Sequence, residues 1–396
     1  MNKNFNLLLT GQSLANIGDI LYTVSIISLI FTLTSSATAA SFVPFTITSC
    51  MFISSLLTPL LFGKVSLKWL MTFSQIGKTL LLMLLGILLI GISEADFYWL
   101  FLLIGLIAFL DGCANPIRQT LIPHYVNSEQ LLKANGISES VTQLVQTIMW
   151  FAGSLFLVIL SSQQLVWIAG CLFGLASILL SFLENVSSKQ PINQGGRLAQ
   201  VQKGWKTVST SPILRQIMKI DILETIAGTV WIAAIVLVFV DDALKSGEEW
   251  WGFINGAYFL GLIAGSIYCV KYSSFIGNRL GNVMLLNSFM TCLFTVLFSL
   301  TSIPIIALCL SLWIGVFGQI KNIPQQTIIQ SSVSKDELST VYTSLGAAST
   351  GVFGISSLLI GVLADLMGIR SVFLISGLLL ALSSIIIFKH KHLFIE

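Results

Sequence analysis

Charge is what this sequence has least of. Of its 396 residues only 9% are Asp, Glu, Lys or Arg, against about 25% in a soluble globular domain. So few charges cannot clothe a chain for water, and 55% hydrophobic residues with a mean hydropathy of +0.91 exclude a soluble fold. Histidine is also scarce: His124, His390 and His392 are the only three, and they form no metal-ligand cluster. The six cysteines (Cys50, Cys113, Cys171, Cys269, Cys292, Cys309) all fall in apolar runs without metal-ligand spacing, so they read as small buried hydrophobes. No resident metal or cofactor is expected. The missing phosphate-binding glycine loop excludes ATP as an energy source. The absence of an arginine-rich arm excludes nucleic acid as a partner. Strand-like alternation is absent as well, which argues for helices rather than a membrane β-barrel.

What the sequence does have is long apolar runs. A helix needs about 20 such residues to cross a hydrocarbon core roughly 30 Å thick. Twelve runs qualify: 6–33, 39–63, 70–93, 97–122, 131–161, 164–184, 213–241, 249–272, 279–300, 303–328, 338–364 and 369–389. The longest polar stretch, NVSSKQPINQGGRLAQVQKGWKTVSTSP, separates the sixth from the seventh. The pattern predicts an all-α membrane protein of twelve transmembrane helices in two six-helix halves. These are residues 1–184 and 213–396, joined by a linker at 185–212. No extramembrane segment is long enough to bury a core of its own. The first run is too long for a cleaved signal peptide.

Basic residues set the expected orientation. With the N-terminus inside, all Lys and Arg except Lys78, Lys245 and Arg370 fall in inner loops or at inner helix ends, Lys189 and Lys321 among them. The acids Glu94, Asp96, Asp241, Asp242, Glu248 and Glu249 fall outside. Both termini are therefore expected in the cytoplasm, and the net charge of +3 expresses this inside bias. Asn185-Val186-Ser187 matches a glycosylation acceptor but would be cytoplasmic, so the match is chance.

An enzyme is disfavoured. The Asn16-Ile17-Gly18-Asp19 stretch lacks the preceding glycine and the Tyr-Asp partner helix of an intramembrane aspartyl protease, and no Gly-x-Ser-Gly appears. A channel is disfavoured because nothing repeats as a filter. A membrane protein without extramembrane domains works inside the bilayer, and two six-helix halves around a cavity are the architecture of alternating-access transporters.

Charges within spans cost on the order of 2.5–3.5 kcal/mol each on insertion scales, which makes them functional candidates. They are Asp19, Lys78, Asp111, Glu139, Asp221 and Glu224. In FLDGCANPIRQTLIP, Asp111, Asn115 and Arg118 recur at spacings of four and three, which places them on one helical face. Asp19 and Asp111 each read either as a protonatable carboxylate that loads a proton on one side and releases it on the other, or as a helix–helix tether. Asp221 and Glu224 sit three apart on one face, and one of them is expected to titrate. Arg118 is expected to pair with Glu139, as a structural brace or as a gate. Lys78 is expected to snorkel or to pair locally.

Four segments resemble the major facilitator superfamily, and more narrowly its drug:proton antiporters, including macrolide efflux proteins. They are LLLTGQSLANIGDILYTVSIISLIFTLTSSATAASFV, with its Gly-Asp pair; PIRQTLIPHYVNSEQLLKANGISESVTQLVQ; PQQTIIQSSVSKDELSTVYTSLGAASTG; and GVLADLMGIRSVFLISG. The family's loop between helices two and three carries Gly, then Asp-Arg. Here Gly63 is followed by Leu67 and Lys68, and the equivalent second-half loop has Asn278 before Arg279. The resemblance thus implies an exporter whose inner latch is weaker or uses other contacts.

It also implies a central cavity lined by helices one, four and seven. Asp19, Asp111, Asp221 and Glu224 would couple protons, and Asn115, Gln143, Gln146, Trp150, Trp231, Asn255, Tyr258 and Gln319 would meet the substrate. The implied function is proton-driven efflux of amphipathic molecules by a monomer in a bacterial plasma membrane. The alternative is export of an endogenous metabolite such as a siderophore or an opine-type metallophore.

Overall fold

A computed structural model describes residues 2–34, 37–91, 97–186, 197–247 and 249–394. Lys189, the rest of 187–196, and the loop acids Glu94, Asp96 and Glu248 lie outside the described residues. Almost everything described is helix, as it must be where no water is available to satisfy a bare backbone.

The helices are α1 (Lys3–Thr34), α2 (Ala37–Leu57), α3 (Leu67–Leu88), α4 (Phe97–Tyr125), α5 (Leu131–Ile159), α6 (Ser162–Ser181), α7 (Arg197–Thr210) and α8 (Pro212–Gly228). There follow α9 (Ala233–Val238), α10 (Glu249–Lys271), α11 (Ser273–Gly277), α12 (Leu280–Leu300), α13 (Pro304–Ser332), α14 (Lys335–Met367) and α15 (Ile369–Lys389). Among the described residues ten helices are long and apolar enough to span a membrane. An eleventh span is broken: it runs through α8 and α9, with a 56° bend. The 29-residue α5 occupies the remaining expected position. This is the twelve-helix pattern read from the apolar runs.

The breaks between helices have local causes. Ser161 accepts from the Gln164 backbone N–H at 3.2 Å while the Gln164 side chain accepts from the Ser161 backbone at 2.9 Å, a capping box that starts α6. Pro212 and Pro304 stand at the starts of α8 and α13, where a missing N–H costs nothing. Between α14 and α15 the chain reverses at Gly368, whose φ of +81° a side chain would strain. Two features escaped the sequence reading: the linker folds into α7, and the seventh span is interrupted by a 3₁₀ turn at Thr229–Trp231.

Two compact units divide the chain. The first comprises Met1–Asn127, Leu144–Trp205 and Ser334–Ala347. In it α1 packs on α6 and α2, and α3 on α4 and α6. Its core includes Ile26, Ile30, Leu82, Leu85, Ile104, Ile107 and Phe173. The second comprises Ser128–Gln143, Lys206–Val333 and Ala348–Glu396. There α10 and α12 pack on α13, and α12 and α8 on α15. Its core gathers Val236, Phe239, Phe298, Ile314 and Phe373. The start of α5 belongs to this second unit: buried Asn135 exchanges amide hydrogen bonds with Gln330 at 2.8 and 3.2 Å and donates to Thr327 at 3.0 Å. The start of α14 belongs to the first, where Lys335 donates to the Pro123 carbonyl.

Candidate functional site

In the first unit, three charged side chains from three helices meet. Lys78 on α3 places its Nζ 2.8 Å from Asp19 on α1 and 2.7 Å from Asp111 on α4. The lysine side chain is 0% exposed, whereas Asp19 and Asp111 keep 23% and 26% of theirs accessible. The lysine is thus the closed floor of the cluster and the carboxylates its open side. Behind Nζ lies the Phe173 ring of α6, 4.7 Å away, whose face adds a cation–π contact.

Glycines let these helices come close enough to meet. A Cβ on Gly18, beside Asp19, would lie 2.6 Å from the Phe173 ring, and one on Gly77, beside Lys78, 2.7 Å from Leu110. The Gly-Asp pair seen in the sequence therefore has a packing reason. Of the two expectations for Lys78, snorkelling is not met: the side chain is fully buried and pairs with carboxylates of two neighbouring helices. α3 turns Lys78 inward together with Gln75, Leu82 and Leu85, which are also buried.

The second unit builds a comparable cluster from other helices. Lys321 on α13 pairs with Glu224 on α8 and is 5% exposed. Gln325, one turn further along α13, donates to Asp221, one turn back along α8. Pairing 321 with 224 and 325 with 221 means the two helices run antiparallel, with both acids facing one stripe. The second oxygen of Glu224 accepts from Ser383 on α15 at 2.7 Å.

The charge pattern puts Lys321 at an inner helix end, whereas the structure buries it deep within a 29-residue helix, eleven residues before its last residue. The signal was present: Lys78 and Lys321 both fall inside predicted spans, and a buried ammonium requires a carboxylate partner. Spacing within one helix does not say which.

Beside Glu224 and Lys321 lies a cavity of about 150 Å³ whose wall also includes Trp231, Tyr258, Thr291 and Ser376. Trp231 stacks on Tyr258 with ring centroids 4.9 Å apart and planes 13° from parallel. Phe298 and Phe373 close the other sides of the indole. The wall thus combines an aromatic panel, hydroxyls, one acid and one base.

The sequence profile described as Major Facilitator Superfamily matches residues 8–352. The chain belongs to that superfamily. A transporter that the protein shares 30% identity with, over 97% of this chain and 96% of the relative, is the uncharacterized MFS-type transporter YfmI of Bacillus subtilis (strain 168). Among solved structures the fold is similar to the Escherichia coli fucose:proton symporter FucP, with a TM-score of 0.77, 14% identity and 98% of each chain covered. It is also similar to a bacterial homologue of the iron transporter ferroportin in its outward-facing state, with a TM-score of 0.74, 14% identity, and 98% of this chain and 99% of that one covered. At that identity the likeness concerns fold alone.

This major facilitator protein is therefore a multi-pass membrane transporter of small molecules and not an enzyme. Its other candidate residues are distributed as follows. Asn115 is exposed on α4, one turn beyond Asp111. Trp150 is exposed on α5, and Gln143 and Gln146 are half-buried there, on either side of the point where that helix passes from the second unit to the first. Asn255 donates to the Trp251 carbonyl of its own helix at 2.9 Å. Gln319 is buried and donates to Glu139 at 3.4 Å, as does Gln326. Arg118 and Glu139 fall in different compact units.

Proposed function

We propose that this transporter is a proton-coupled secondary exporter of small amphipathic molecules, of the multidrug or macrolide-efflux type, working by alternating access. The observation that carries the reading is the ring formed by Asp19, Lys78 and Asp111. Charges in the interior of a membrane helix bundle are expensive and persist where they serve a pathway or a relay. Two carboxylates that share one ammonium and keep an open side can trade that partner for a proton. Asp221 and Glu224 would do the same against Lys321. The halves 1–184 and 213–396 would rock about the linker 185–212, with both termini in the cytoplasm of a bacterium and the monomer as the working unit. Trp231 and Tyr258, with the amides Asn115, Gln143, Gln146, Asn255 and Gln319 and the exposed Trp150, suit an amphipathic cargo.

One observation favours a second reading, export of an endogenous metabolite such as a siderophore or an opine-type metallophore. Lys321 and Glu224 share one cavity wall, so that wall offers both signs of charge, which a zwitterionic metabolite would match.

The test is pH-gradient-driven transport in proteoliposomes, with a lipophilic fluorescent cation, a panel of macrolides and an opine-type metallophore, wild type beside Asp19→Asn and Asp111→Asn. Gradient-driven movement that is lost in either variant supports coupling through the ring. Movement at the wild-type rate in both variants refutes it. Movement of a metallophore alone would decide for the second reading.

A further inference from the structure

The charges of the first cluster do not balance, and one side chain sets the imbalance. With all three groups ionised, Asp19 and Asp111 contribute two negative charges and Lys78 one positive. Among the described residues, no further charge on the helices packed around them makes up the difference; on α1 itself Lys3 is sixteen residues from Asp19, about 24 Å along the axis. The neighbours Tyr22 and Phe173 are neutral, and α2 and α6 contain no Asp, Glu, Lys or Arg. The part of α5 in this unit, from Leu144 to Ile159, contains none either. On α4, Arg118 is seven residues from Asp111, about 10 Å along the axis, and His124 is further still. On α3, Lys68 is ten residues from Lys78, about 15 Å. A net charge held in an apolar interior must be compensated locally.

We propose that Lys78 fixes the proton inventory of this cluster: it permanently offsets one carboxylate, so that Asp19 and Asp111 together hold one proton where without it they would hold two. Lys78 is then a positioning residue. It is sealed at the floor beneath Phe173, so protons arrive and leave on the open side of the aspartates and the lysine never meets the cargo. The inference deepens the proposed coupling and rests on Asp19 and Asp111 as its carboxylates.

The experiment counts protons bound by the purified full-length protein in lipid nanodiscs as pH falls from alkaline to mildly acidic, in wild type and variants. Lys78→Gln should bind about one more proton than wild type, and Asp19→Asn about one fewer, because Asp111 is then left in a neutral pair with the lysine. Lys78→Gln combined with Asp19→Asn should return to the wild-type count, since one carboxylate remains with no ammonium beside it. Lys78→Arg should keep the wild-type count. A purely structural lysine would leave the double variant at least as impaired as either single change.

If Lys78→Gln alone does not fold, the Asp111→Asn variant and its combination with Lys78→Gln carry the same arithmetic. The proposal is overturned if Lys78→Gln and wild type bind equal numbers of protons, or if the double variant matches Asp19→Asn. Proton counts that follow the scheme without gradient-driven transport would defeat the coupling reading and leave the inventory standing. Gradient-driven transport with counts that do not follow would do the reverse.

Discussion

Two glycine-to-alanine changes in the second unit should have opposite signs. A Cβ at Gly265 on α10 would stand 2.6 Å from the Val316 carbonyl oxygen and 3.0 Å from the Gln319 Cβ on α13. Ordinary contact begins at 3.4 Å, so the first distance falls about 0.8 Å short. A backbone carbonyl inside a helix cannot rotate away, so α10 and α13 must separate. Overpacking of this kind costs about 1–3 kcal/mol. Alanine's advantage over glycine within a helix, roughly 0.5–1 kcal/mol, offsets only part of that.

At Gly318, one turn before the cavity lysine Lys321, an added Cβ meets nothing within 4 Å, so only the advantage remains. Gly265→Ala should therefore unfold at a lower temperature than wild type in detergent, and Gly318→Ala at the same temperature or higher. Because α13 carries both Lys321 and Gln325, Gly265→Ala should also slow transport more than Gly318→Ala does. Stability of Gly265→Ala at or above that of wild type would refute the close-approach argument.

Further expectations follow from buried polar pairs. Lys321→Met should destabilise by about 3–5 kcal/mol, because Glu224 loses its counter-charge, and Lys321→Met with Glu224→Gln should recover most of that loss in thermal unfolding. Asn135→Ala or Gln330→Ala should each cost about 1–3 kcal/mol, and the double change should cost much less than their sum, which a double-mutant cycle reads directly. Arg370 donates to the Ser299 carbonyl at 2.7 Å, to the Ala243 carbonyl at 3.0 Å and to Ser302 at 2.7 Å. Arg370→Ala should thus loosen the end of the broken seventh span, seen as faster amide exchange near Ala243.

The sequence by itself determined that the chain lives in a membrane and how often it crosses. Those features depend on summed hydropathy along contiguous stretches, and each apolar run from 6–33 to 369–389 reappears as a helix or a broken pair. It also determined which carboxylates are costly, since Asp19, Asp111, Asp221 and Glu224 interrupt runs where a charge needs a reason. It gave no warning that the linker folds as α7, because a polar amphipathic stretch of that length is marginal as a helix until something packs on it.

Only the tertiary structure decided the partners. Lys78 reads in the sequence as a snorkelling or locally paired charge and Lys321 as a helix-end charge, yet each closes a cluster with residues 33 to 97 positions away in sequence. Coulomb attraction acts through space, and within one helix it is legible only at spacings of three or four. Which helix stands opposite is set by close packing, here by Gly18 and Gly77 admitting Phe173 and Leu110. A hydropathy pattern records that a side chain is buried, but not what it is buried against.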